Sequence, residues 1–183
     1  QLPKKLILIK TKLIEKELTQ NLSLRQISIT RQILPFGLVI NIKARTPVAF
    51  AEREENGLKI RGFIDKDGFF IKKKYIPERE NLIFTINIYG WKKEHKKLIS
   101  LIIKIYKETD DLEAIKISSE GFITLEEKFL QKIFLGFKTQ EIREKLNLIF
   151  DIKEQFKKQK IRKKIKSLDI TDLANPKIKV FIP

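Results

Sequence analysis

The stretch Gln26-Ile-Ser-Ile-Thr-Arg-Gln-Ile33, Leu34-Pro35-Phe36-Gly37, Leu38-Val-Ile-Asn-Ile-Lys43 holds the pattern on which the rest of the chain is aligned. Ile27, Ile29, Arg31 and Ile33 alternate with Gln26, Ser28, Thr30 and Gln32, the period of two that a half-buried strand requires. Leu38, Ile40 and Ile42 repeat it. Between the two runs Pro35 pre-sets φ and Gly37 tolerates positive φ, so residues 27–43 are expected to form a β-hairpin. Two further motifs follow, Arg45-Thr46-Pro47-Val48-Ala49 and Ile64-Asp65-Lys66-Asp67-Gly68, the second read as a hairpin turn rather than the start of a calcium loop.

Upstream, residues 6–9 read as a short strand, and residues 12–21 as a helix with Ile14 and Leu18 on one face. Downstream, residues 48–51, 58–64 and 69–71 form a meander with Asn56-Gly57 and Asp67-Gly68 as turns. Residues 82–88 are a further strand that Gly90 ends. Residues 91–107 then turn helical, with Leu98, Leu101, Ile102 and Ile105 at helical spacing. Strands are expected at 112–117, 122–125 and 129–135. Thr139 then caps a helix whose Ile142, Leu146, Ile149 and Phe156 share a face, and residues 165–170 and 177–182 close the chain as strands. This is an α+β chain: a helix and hairpin over residues 1–46, then a mainly antiparallel sheet over 47–183 with two amphipathic helices on one face. In the last strand Lys177, Lys179 and Phe181 alternate with Ile178, Val180 and Ile182, and it is expected at an edge of the sheet.

The composition narrows the chemistry. With 42% hydrophobic and 34% charged residues the chain can bury a core, and without cysteine it has neither disulfides nor thiolate chemistry. His95 is the sole histidine, has no company for a zinc site, and reads as a solvated residue in the first turns of a lysine-rich helix. The acidic pairs Glu54-Glu55, Asp110-Asp111 and Glu126-Glu127 read as solvated loops or helix ends rather than acid–base machinery. Nucleophile elbows, phosphate-binding glycine loops and His-Glu-x-x-His helices are absent from the sequence. The expectation is a non-enzymatic protein with no cofactor and no metal site.

The formal charge of +16 admits nucleic acid, anionic lipid or an acidic protein as partner. Lysine outnumbers arginine, the residue favoured for bidentate phosphate and base recognition, and an A+T-rich genome encodes such a bias. The densest run, residues 157–166 with Lys160, Arg162, Lys163 and Lys164, reads first as a solvated helix end whose cations complement the macrodipole. A nucleic-acid groove would interleave aromatics there. Attraction to an anionic membrane surface is an intermediate reading. No window offers the roughly 18–20 apolar residues that span a bilayer.

The order of these motifs resembles the extracytoplasmic part of the bacterial cell-division family FtsQ/DivIB, over nearly the whole chain. In that family an Arg-x-x-x-Pro strand turn closes a small POTRA domain, here Arg31 and Pro35. An Arg-x-Pro-Val-Ala segment opens the following β domain, here Arg45 with Pro47, Val48 and Ala49, and an Ile-Asp-x-x-Gly turn follows, here Asp65 and Gly68. Leu135-Gly136 before a helix and Leu168-Asp169-Ile170 before a terminal strand add to the pattern. Ala44 and Thr171 depart from it, standing where an acidic residue and an arginine are common.

The resemblance implies a partial POTRA domain over 1–46 and an FtsQ-like β domain over 47–183, with a single membrane helix and the first POTRA elements upstream. The protein would then sit in the bacterial plasma membrane with this part on the periplasmic side. It also implies a divisome scaffold that recruits FtsB/FtsL-like membrane proteins during septum formation. The expected means is strand addition at Lys177, Ile178, Lys179, Val180, Phe181 and Ile182. The alternatives are a basic nucleic-acid-binding protein and a POTRA-bearing outer-membrane translocation protein.

Overall fold

The computed structural model describes residues 8–76, 84–137, 141–158 and 165–181. The chain divides into two units, one of Gln1–Thr46 with Ile71–Glu80 and one of Pro47–Phe70 with Asn81–Pro183.

In the first unit a helix, α1 (Thr11–Asn21), precedes the antiparallel strands β1 (Gln26–Gln32) and β2 (Gly37–Lys43). Ile27 faces Ile42 and Ile29 faces Ile40, so the alternating pattern sets the register. Ile27 and Ile29 are buried, and Ile14 and Leu18 of α1 are half-buried. The Ile29 N–H donates to Glu15 Oε1 at 2.6 Å, which ties the helix to the strand and occupies a backbone donor of β1. Ile33 lies beyond β1 and is exposed, as are Ile40 and Ile42. The strand expected over 6–9 falls mostly outside the described residues. Leu8 is helical, and the Ile9 carbonyl accepts from Thr11 N–H and Arg31 Nη2 rather than from a ladder.

One large sheet consists of β3 (Pro47–Glu55), β4 (Leu58–Asp65), β5 (Phe70–Lys72), β6 (Asn87–Tyr89), β7 (Leu112–Ile117), β8 (Ile123–Glu127), β9 (Gln131–Gly136), β10 (Ile165–Asp169) and β11 (Lys177–Val180), all in the second unit except Ile71 and Lys72 of β5. Their order across it is β11-β10-β9-β8-β7-β6-β3-β4-β5. Short connections without a helix give the antiparallel pairs β3/β4, β7/β8, β8/β9 and β10/β11. Between β6 and β7 lies α2 (Lys96–Tyr106), and between β9 and β10 lies α3 (Ile142–Lys158). A helix between neighbouring strands is a crossover, so both of those pairs run parallel, as does β3/β6, and the sheet is mixed.

A single row of apolar residues crosses the sheet in register: Ala51, Ile88, Ile115, Leu125, Ile133, Leu168 and Ile178. All but Ile178 join one core with Ile99, Ile102, Ile103 and Tyr106 of α2 and Ile142, Leu146, Ile149 and Ile152 of α3. The neighbouring row, Glu52, Tyr89, Lys116, Thr124, Phe134, Asp169 and Lys177, belongs to the opposite face.

The sequence reading of α2 is turned on its axis: of the four residues expected inside only Ile102 is fully buried, and Leu98, Leu101 and Ile105 pack partly against the core. Apolar residues on almost every side of this helix left its central line undecided. His95, expected in solvent, is buried in the 3₁₀ turn Lys93–His95 that leads into α2. The strand expected over 82–88 is shorter and later; residues 82 and 83 lie outside the described part. The Phe50 N–H donates to Ile86 O and the Trp91 N–H to Glu52 O, extending the three-residue β6 ladder at both ends. Phe84 instead packs against Phe50 and Phe63, with ring centroids 5.1 and 5.8 Å away. Thr139 and residues 159–164 of the basic run also lie outside the described residues.

Candidate functional site at the open edge of the large sheet

Strand β11 is the last in the sheet order, and among the described residues it pairs only with β10. Asp169 faces Lys177, Leu168 faces Ile178 and Ser167 faces Lys179, with a register shift between Ser167 and Ile165, which faces Val180. Ile178 extends the apolar row and is 39% exposed, because beyond it the row has no further member among the described residues. Lys177 and Lys179 point to the other face. There Lys179 lies across Ser167 from Lys132, and Lys132 faces Glu126. A groove of about 560 Å³ follows this face, lined among others by Glu126, Lys132, Phe134, Lys166 and Lys179. Phe181 leaves the strand and is exposed, with Lys166 Nζ 6.0 Å from its ring centroid. Ile182, the sixth residue expected here, lies outside the described residues.

The motif residues shape turns and strand starts elsewhere. Arg31 ends β1's buried run with its guanidinium on Ile9 O at 2.6 Å, and Pro35 sits in the β1–β2 loop. Arg45 is half-buried just ahead of β3, which Pro47, Val48 and Ala49 open, with Pro47 and Ala49 buried. Asp65, buried at the end of β4, accepts from the N–H groups of Asp67 and Phe69 at 3.0 and 2.8 Å. This closes the β4–β5 turn. Gly68 has φ +77°, and a Cβ there would lie 2.2 Å from Lys96 O, so the turn needs glycine both for its backbone angle and for α2's approach.

Two buried lysines on α3 escaped the sequence reading. Lys153 Nζ contacts Asp111 Oδ2 at 2.5 Å and Glu127 Oε2 at 3.0 Å, and the Leu130 N–H donates to Glu127 Oε1 at 3.0 Å. Glu127's side chain is 0% exposed, which overturns the solvated reading of Glu126-Glu127 and, in part, of Asp110-Asp111. The cause is periodicity: Glu127 follows Ile123 and Leu125 on the inward face of β8, and α3 brings a cation to it. Beside this pair burial, followed by the Glu127 charge, pushes the Tyr106 phenol well above its ordinary range, so it stays neutral.

Lys145, 1% exposed, donates through Nζ to Leu135 O and Thr171 O, both at 2.8 Å. Both lysines sit in phase with Ile142, Leu146, Ile149 and Phe156. That phase was the signal that could have found them.

Among the described residues no group of three His, Asp or Glu side chains is placed to hold a metal ion, and no helix is long and apolar enough to cross a membrane. No protein-family model matches the chain, and no curated protein matches its sequence.

Proposed function

We propose that this protein is a non-enzymatic scaffold of the bacterial division machinery, of the FtsQ/DivIB type, that captures an extended segment of an FtsB/FtsL-like membrane protein by strand addition to β11. The observation that supports it is the position of β11: an edge strand presents unpaired N–H and C=O groups that an added strand can satisfy. Its two faces specify the visitor. A side chain beside Ile178 extends the apolar row over α3's side of the sheet, and those on either side of it meet Lys177 and Lys179. The fitting segment therefore alternates acidic and apolar residues, the backbone supplying affinity and the charges speeding encounter. On this reading the chain lies on the periplasmic side, held by a membrane helix upstream.

Successive N–H groups of a strand point to opposite edges, so Lys179→Pro and Val180→Pro, made separately, test the edge directly. The substitution at the outward N–H is expected to abolish co-purification of co-expressed FtsB/FtsL-like proteins from the same organism while leaving the unfolding transition in place. The other lowers stability. Undiminished co-purification by both folded variants rejects strand addition. Binding that instead collapses with salt on duplex or single-stranded DNA and ignores both prolines would favour the nucleic-acid reading.

A further inference from the structure

The turn between β10 and β11 is held at one residue from two sides. From inside, Lys145 Nζ donates to Thr171 O at 2.8 Å, and the same ammonium donates to Leu135 O. Leu135 is the extra residue of a bulge: Ile123 faces Gly136 and Thr124 faces Phe134, so Leu135 has no partner across the β8/β9 ladder. From outside, Asp169 Oδ1 accepts the Thr171 N–H at 3.0 Å and the Thr171 hydroxyl at 2.8 Å. Gly136, at φ +88°, lets Thr171 come close, since a Cβ there would lie 3.3 Å from Thr171 Cγ2. A lysine costs much to bury, and this one spends its donors on two backbone carbonyls of different chain segments. Those two carbonyls fix where β9 ends and where the turn into β11 begins.

We propose that Thr171 is a latch, gripped by Lys145 and Asp169, that presents β11 in one register, which makes Lys145 a positioning residue for the binding edge. The proposal rests on the strand-addition reading for its purpose, and on the geometry of Thr171 alone for its existence. Without the latch, a slip by two residues keeps the same side chains on each face, so the pleat does not forbid it. It would bring Lys177 or Phe181 opposite Ser167 in place of Lys179. A partner strand read against Lys177, Ile178 and Lys179 would then meet a shifted pattern.

The chain has no cysteine, so engineered pairs report register without interference. Ser167→Cys with Lys179→Cys matches the observed register, and Ser167→Cys with Lys177→Cys matches the slipped one. Disulfide closure requires a close Cα approach, so with the latch intact the first pair is expected to close about tenfold faster or more. In Lys145→Met and in Asp169→Ala the ratio is expected to fall toward one. A general loss of packing would lower that ratio too, but it would also slow closure of Glu126→Cys with Lys132→Cys across β8 and β9, which loss of the latch alone leaves unchanged. An unchanged ratio in the two variants overturns the latch. Should Lys145→Met not fold, Asp169→Ala, whose change lies near the surface, decides alone. These rates are read with no partner present. A slipped register with undiminished partner capture therefore refutes strand addition at β11 and leaves the latch standing.

Discussion

Removing the Lys153 ammonium is expected to be among the most damaging single changes in the sheet unit. Its side chain is 4% exposed and contacts one carboxylate, Glu127, that is wholly buried and a second, Asp111, that is 28% exposed. In Lys153→Met the methylene stem is largely kept, so what is lost is the charge, and the buried Glu127 is left without its cation. Breaking a buried pair from one side costs about 3–5 kcal/mol. Neutralising the orphan as well removes most of that penalty. Lys153→Met combined with Glu127→Gln keeps an acceptor for the Leu130 N–H and is expected to cost only about 1–2 kcal/mol.

The assay is urea unfolding followed by Trp91 fluorescence. Trp91 is the only tryptophan, lies in the sheet unit, and is anchored by its indole N–H on Gly68 O at 3.0 Å. High salt should leave the difference intact, since a buried pair is poorly screened. A cost below about 1 kcal/mol for the single variant, or a double variant no more stable than the single one, refutes the reasoning.

Other outcomes follow from local geometry. Gly90→Ala places a Cβ 1.9 Å from Ile117 O at a positive φ, whereas Gly57→Ala, also at positive φ, meets nothing within 4 Å. Thermal melts should show the second costing about 1–2 kcal/mol from backbone strain and the first distinctly more. The Thr171 N–H, and after it the Thr171 hydroxyl, hold the Asp169 carboxylate below its usual range. A depressed folded-state value contributes stability that is whole above the unfolded value, about 3.9, and is lost as pH falls through the lower folded one. Protection factors of the β10–β11 amides, corrected for the intrinsic exchange rate at each pH, are therefore expected to fall only as pH drops below the unfolded value, and in Asp169→Ala that pH response disappears. Ile42→Lys on the exposed strand of the hairpin should change stability by no more than about 0.5 kcal/mol in urea titrations.

The fold was legible where side-chain period and turn chemistry agree. Ile27 and Ile29 against Ile40 and Ile42, Asn56-Gly57, and Asp65 with Gly68 each carry their structure within a few residues. Pro47, read from its motif as a strand opening, starts β3. The parallel pairs β6/β7 and β9/β10 within a sheet expected to be mainly antiparallel follow from the helices that lie between their strands. The side chains of greatest consequence were harder to read. Lys145 and Lys153 are lysines among many, and only their phase on α3 separates them from solvated ones. Their partners lie on β8, β9 and two loops. What fixes them is therefore contact between distant segments, and no window of sequence contains it. At the candidate site the alternation of Lys177 to Val180 was readable, whereas the grip on Thr171 was not.

The sheet's two broad ribbons, β3-β4-β5 on one side and β7-β8-β9 on the other, are sutured by β6, which is three residues long and parallel to both neighbours. Parallel seams close slowly, because distant parts of the chain must meet before any bond rewards them. Each ribbon can zip from its own turns, and Ile88, buried at the centre of the suture, then converts two half-built ribbons into one cooperative body. Torque that a neighbour exerts on the far border reaches the other half through that short seam and through the helices packed over it.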